Sequence, residues 1–446
     1  MQFFEDQNTT VAFTIYYLHY FRQIPAVGLY ISGLVALFFL FASITGILVH
    51  WRNMLTKFYA FVKEGKWKRI WTNSHTVLGV IGLPFQIIYA VTGAFFGLLI
   101  LVLLPVVFLK YDGDINKVYS KVIPFTAVEV NADAPPSDNL SLNELAAGIL
   151  AEYPNHHILR AQLKNYGKED AKVLFAIDDN KGIHSSGAIA INMKDGEVLE
   201  EFSQIPYKKT YAYSVIDYIF KLHFANFGGY YIKIIYFILA LITCFMIISG
   251  VLIWRTARDN NQYTFKQRLF HHKVTKTYLA ICLSMFPAFA LIFIANKAVP
   301  MEMAGRASIV NTIFFLGWLG MTVLGLFWNK YSQQNRNYLI MGGVLSLMIP
   351  LANGLATAGW IWDMWNTYHW VAYVDLFWLF TGLTALYLAF FVLKVKPTSD
   401  KPEETGKKEE EEMVKKPIAK KVPKKLIRKP VLNIKPSEKG LNLGET

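Results

Sequence analysis

The chain has 446 residues, is 54% hydrophobic and carries a formal net charge of +13. Uncharged runs longer than the roughly 18 residues that signal a membrane span recur along it, which excludes a water-soluble globular protein and points to a polytopic one. Its positive charge sits largely in short loops and a C-terminal tail, so contact with a membrane surface accounts for it and no nucleic-acid partner is called for.

In chain order, spans are predicted over residues 27–49 and 77–109. A polar segment, residues 111–215, then offers enough chain for one small domain. Within it, the turn-like Asp112-Gly113-Asp114 leads into an extended stretch, and Ser141 with Glu144 forms a capping box ahead of an apolar helix over 145–151. Strands follow over 158–163, 173–177 and 188–193, and a turn at Lys194-Asp195-Gly196 leads into a return strand over 198–202. Five further spans are predicted over 234–254, 277–296, 307–328, 338–362 and 371–393. Only the last holds an acid, Asp375, which suits either a hydrogen bond near the interface or proton and cation handling. The tail, 396–446, has an acidic run from Glu409 to Glu412 and basic residues from Lys415 to Lys435; it reads as disordered, either solvated or docked on anionic lipid. The expected architecture is mainly α: a polytopic helical membrane protein with seven spans and one small α+β domain outside the cytoplasm. Its divisions are 1–110, the first two spans; 111–215, the module; 216–395, five spans; and 396–446, the tail.

Lysines and arginines collect in short cytoplasmic loops. Here they follow span one (Arg52, Lys57, Lys63, Lys66, Lys68, Arg69) and span three (Arg255, Arg258, Lys266, Arg268, Lys273, Lys276), while the alternate loops offer little beyond Arg306. The N-terminus is therefore expected outside and the C-terminus in the cytoplasm. An outside N-terminus with no preceding signal calls for a further helix, from upstream or from a small partner subunit. Cys244 and Cys282 both fall within spans, which supports neither a disulfide framework nor a thiolate metal cluster.

A repeat runs through these spans. Leu18-His19-Tyr20 matches Leu222-His223-Phe224; 27 residues after each histidine stands a glycine in a small-polar pair, Thr45-Gly46 or Ser249-Gly250. At the last matched position one copy has His50 and the other Trp254. A duplicated membrane helix that begins at a histidine suggests a cofactor held between the copies. His19 and His223 are placed at the outer ends of their spans, His50 and His75 at the inner ends. Imidazoles are the usual axial ligands of b-type haem, and a bis-histidine site needs two facing helices with histidines at one depth, as His19 with His223 and His50 with His75 provide. The other reading is a ring that snorkels at a helix end and holds no metal. His271 and His272 are candidates to replace a member of the inner pair, though a loop position is expected for them, and His156, His157, His184 and His369 read as surface residues.

Helical geometry would separate His19 from His50 by roughly 46 Å at about 1.5 Å per residue, a long gap that a break at Pro25 shortens. The pairs Thr45-Gly46, Thr92-Gly93, Ser249-Gly250 and Thr381-Gly382 allow close approach of a backbone or a flat porphyrin, and ordinary helix packing explains them equally well.

These residues resemble the PepSY-associated transmembrane helix family, which includes bacterial siderophore-iron reductases. The resemblance rests on Leu18-His19 through Pro25 to Gly46 and His50, on Ser74-His75 through Phe85 to Thr92-Gly93, on His223-Phe224-Ala225-Asn226-Phe227-Gly228-Gly229, and on Ser249-Gly250 to Trp254; it extends over residues 10–395. It implies that the outside module is a PepSY domain and that the chain is an inner-membrane protein binding haem b through His19, His50, His75 and His223, with two haems or one. It further implies electron transfer from the cytoplasmic side to ferric iron or a ferric siderophore. Two departures stand out: relatives of this length begin with another histidine-containing helix, and Gln86 follows Leu83-Pro84-Phe85 where some relatives carry histidine. No nicotinamide or flavin fingerprint is present, so electrons would come from a separate cytoplasmic donor or a quinol. The rival expectation is a haem-free PepSY membrane protein with a regulatory or interaction role in the envelope; a transporter ranks behind both.

Overall fold

The computed structural model describes residues 11–53, 56, 59, 67–179, 181–367, 369–395 and 400–402. The charged runs expected in the tail, together with Lys57, Lys63 and Lys66, lie outside the described residues. Seven described helices are long and apolar enough to cross a membrane.

The repeat is built as a short helix, a break and a span. Helix α1 (Val11–His19) ends at the first histidine, and α2 (Gly28–His50) is the span. Between them Pro25 removes a donor, and Phe21 and Ala26 take left-handed φ values of 58° and 63° that no helix continues through. The second copy has α6 (Tyr211–Phe224) and then the span α7 (Gly229–Ala257), separated by Ala225 at φ 54° and Gly229 at φ 62°. The histidines therefore close short preceding helices instead of opening the membrane helices, which corrects the sequence expectation.

Between the copies, α3 (Trp67–Lys110) runs for 44 residues with Pro84 and Pro105 inside it. At about 1.5 Å per residue it is roughly 66 Å long, more than a bilayer requires, and so projects beyond one. Helices α2 and α3 pack backbone to backbone: a Cβ on Gly97 would fall 2.4 Å from the Gly33 Cα.

The module follows α3. Asp114 caps a helix, α4 (Ile115–Val122), by accepting from the Asn116 N–H at 2.9 Å, so the stretch expected to be extended is helical. The capping box of Ser141 and Glu144 opens α5 (Leu142–Glu152). Strands β1 (His157–Lys164), β2 (Lys172–Asp178) and β3 (Gly187–Asn192) form an antiparallel sheet in the order β1-β2-β3. Alternation sends Val173, Phe175, Ile177, Ile189 and Ile191 to one face against Leu145 and Ile149 of α5, and Leu174 and Ala190 to the other against Val128. The expected return strand is not one. Its chain bridges at Ile191–Val198 and Ala188–Gln204 only, and curls into a 3-10 turn, Glu200–Phe202, between them. The Ser203 hydroxyl takes the Ala190 N–H at 3.0 Å, replacing a rung of the ladder.

The remaining helices are α8 (Phe265–Ala298), α9 (Arg306–Gly325), α10 (Tyr331–Thr357), the short α11 (Ile361–Thr367) and α12 (His369–Tyr387), which runs into a π-helical turn, Leu388–Val392. Helix α1 docks on this second half: Val11 joins Ala288, Ile292, Val310 and Phe314 in one apolar cluster, and the Thr14 hydroxyl donates to Asn311 Oδ1 at 2.6 Å. Asp375 is buried and accepts from Asn353 Nδ2 at 2.9 Å. Asp400, within the segment expected to be a free tail, accepts from the Tyr331 N–H at 2.8 Å, and its carbonyl takes Arg255.

Candidate functional site

The first pair assembles from both copies of the repeat. His19 closes α1 and His223 lies one residue from the end of α6, and their ring centres are 6.2 Å apart at an interplanar angle of 59°. Helix α1 is held from one side by the second-half bundle. Helix α6 is held from the other by the module: Lys221, two residues before His223, donates to Asp178 Oδ1 at 2.9 Å, the Ser185 hydroxyl at 3.0 Å and the Gly182 carbonyl at 2.6 Å. A second buried ion pair, Lys209 with Asp217, lies at the start of the same helix. Two oppositely anchored helices thus bring the imidazoles together.

Both rings favour the neutral form. Burial, with the neighbouring His19 adding to it, pushes His223 down to about 4. His19 keeps an exposed edge, yet the protein packed around its ring lowers its pKa as well. The Thr92 hydroxyl of α3 lies 2.9 Å from His223 Nδ1. A neutral imidazole with Nδ1 so engaged presents Nε2 as the free donor atom, the form that binds a metal.

The second pair lies along the same long helix. His50 ends α2, His75 lies on α3, and both line a cavity of about 310 Å³ between α2, α3 and α7. His75 Nδ1 is 3.0 Å from the Ser249 hydroxyl on α7. Gln86, also in the lining, is buried, and among the described residues its Nε2 has no hydrogen-bond partner. Thr92, at the level of the first pair, is seventeen residues beyond His75, about 25 Å along α3. The break after His19 therefore brings the two pairs much closer than the 46 Å of an unbroken helix.

Other histidines go elsewhere. His271 and His272 are on α8, not in a loop, because the Thr264–Gln267 capping box starts that helix early. His272 stacks on Tyr331 and bonds its hydroxyl at 2.7 Å, while His271 packs on Trp254, the repeat counterpart of His50. Neither lines the cavity of the second pair. His156 is not on the surface: it is buried in the module with Nε2 2.9 Å from the Ser185 carbonyl. His184 bonds and stacks on Tyr218, and the side chain of His369 lies outside the described residues. Cys244 and Cys282 are free thiols.

Reading from sequence missed the hydroxyls. Thr92 and Ser249 stood out only as small-polar partners of glycine, and the signal was their recurrence; which histidine each would meet depended on helix packing.

Seven apolar helices with a small α+β module after the second define a multi-pass helical membrane protein. The family model described as the PepSY-associated TM region matches residues 2–257, a stretch that takes in all four histidines, and the chain belongs to that family. No curated protein and no solved structure matches the chain.

Proposed function

We propose that this chain is a haem b protein of the bacterial cytoplasmic membrane that passes electrons outward to ferric iron or a ferric siderophore, with His19–His223 and His50–His75 as the ligand pairs. The observation that carries the reading is the 6.2 Å between the His19 and His223 ring centres. An imidazole nitrogen holds a metal at about 2 Å and stands about 1 Å from its ring centre, so His19 and His223 would hold one iron between them with ring centres roughly 6 Å apart. A haem b there would supply one-electron exchange between ferric and ferrous iron.

The chain's own residues do the rest. Burial keeps His223 neutral, so its lone pair is available. Thr92 holds the His223 ring, and Lys221 ties its helix to the module. The second pair faces the basic loops, which by the distribution of lysine and arginine are cytoplasmic, so a donor protein or a quinol would deliver electrons at that end. On this orientation the module stands outside, beside the first pair, where it would shape access for an iron complex.

The test is a reduced-minus-oxidised visible spectrum of the detergent-purified full chain, with a pyridine haemochrome count. Low-spin b-type bands at two haems per chain are expected, falling to one in His223→Ala and to one in His75→Ala. A chain without haem after expression with ample haem supply would overturn the proposal and favour a regulatory role.

A further inference from the structure

We propose that Thr92 and Ser249 are positioning residues, each of which sets the tautomer of a histidine on a neighbouring segment so that Nε2 faces the bound group; this rests on the haem reading above. The arrangement is reciprocal. Thr92, on α3, serves His223 on α6, whereas Ser249, on α7, serves His75 on α3.

A hydroxyl has one hydrogen. That of Thr92 goes to the Ile88 carbonyl at 2.6 Å, and that of Ser249 to the Met246 carbonyl at 3.0 Å, each within its own helix. What remains at either oxygen is lone-pair capacity, and the ring nitrogen facing it must then be an N–H. For His223 the opposite tautomer would put its N–H on Nε2, where no described residue accepts it, in a place where an unpaired polar hydrogen is costly. For His75 the Ser249 hydrogen is taken up by the Met246 carbonyl, so the ring nitrogen at 3.0 Å from that oxygen is the N–H. Thr92 is 2% exposed and Ser249 0%, so water cannot stand in for either hydroxyl.

A Cβ on Gly250 would meet His75 Cε1 at 3.5 Å, an ordinary contact, so the ring lies beside α7 at that glycine without requiring it. Of the other two small-polar pairs, Thr45 bonds its own helix at the Ala42 carbonyl, and a Cβ on Gly382 would fall 2.9 Å from the Gly343 carbonyl oxygen, so that glycine serves helix packing. Two of the four pairs therefore serve histidines.

The experiment is a spectroelectrochemical titration of the purified full chain, with haem content counted alongside, for Thr92→Val, Thr92→Ser, Ser249→Ala and Ser249→Thr. A hydrogen bond from the distal N–H makes the ligand more basic and so favours ferric iron. Removing it should raise one haem potential per variant by about tenfold in the ferric/ferrous equilibrium, 59 mV for one electron. The hydroxyl-retaining variants should stay near wild type. If Thr92→Val loses its haem and Thr92→Ser keeps it, the inference also stands. Haem loss in both would mark a packing role and overturn it. Two haems with unmoved potentials in Thr92→Val and Ser249→Ala would sink this inference alone, whereas a haem-free wild-type chain would remove the functional proposal beneath it.

Discussion

Asp178→Asn is the substitution whose effect the structure specifies most fully. Asp178 and Lys221 have side chains only 4% exposed each, and the carboxylate receives both the ammonium and the Ser185 hydroxyl, the latter at 2.6 Å. Asparagine keeps the shape and leaves a buried ammonium without its counter-charge. Breaking a buried pair from one side costs about 3–5 kcal/mol, because the surviving ion has lost its compensation but not its desolvation. Hydrogen exchange in detergent reads this locally: at about 1.4 kcal/mol per tenfold, the amides of β2 and α6 should exchange at least about a hundredfold faster. Since Lys221 is two residues from His223, the functional proposal further expects a haem at the first pair to be lost or to become high-spin in the same variant. The double variant Asp178→Leu with Lys221→Met removes both charges and should recover most of the protection. Exchange within tenfold of wild type in Asp178→Asn, or a double variant no better than the single, would refute the anchoring argument.

Two further outcomes follow from the same geometry. The folded-state pKa of His223, about 4, lies below its ordinary 6.5, so the unfolded chain binds more protons in that window. Stability present above 6.5 is therefore lost as pH falls through about 4; the melting temperature of the chain purified without added cofactor should drop across that range, and a His223→Gln variant that drops equally would contradict the assignment. Glycine substitutions should divide by what surrounds them. Gly97→Val drives a side chain into the Gly33 backbone and should abolish monodisperse protein on size exclusion, while Gly148→Ala, in open space on α5, should raise the thermal midpoint through a gain of about 0.5–1 kcal/mol.

Much of this was legible in the sequence because the relevant forces act along the chain. A span announces itself by eighteen or so apolar residues whatever its neighbours are, and the seven expected spans correspond to the seven helices observed. The capping box at Ser141 and the alternation of Val173, Phe175 and Ile177 are equally local. Errors came where short-range bonding competes between two outcomes. Asp114 either turns the chain or caps a helix, and it caps one; the segment after Gly196 either pairs with β3 or curls, and Ser203 bonding across to Ala190 makes it curl.

By itself, the sequence determined that the chain carries seven helices apolar and long enough to cross a membrane, a small α+β module after the second of them, and a repeated histidine with a small-polar and glycine pair, since hydropathy, capping and periodicity depend on neighbours within a few residues. Only the tertiary structure decided which histidines meet: His19 and His223 lie about two hundred residues apart, and their contact depends on α1 resting against α8 and α9 while Lys221 binds α6 to the module. Thr92 and Ser249 likewise gained their partners from packing, because a hydroxyl can choose between its own helix and a neighbour only once that neighbour stands within about 3 Å of it.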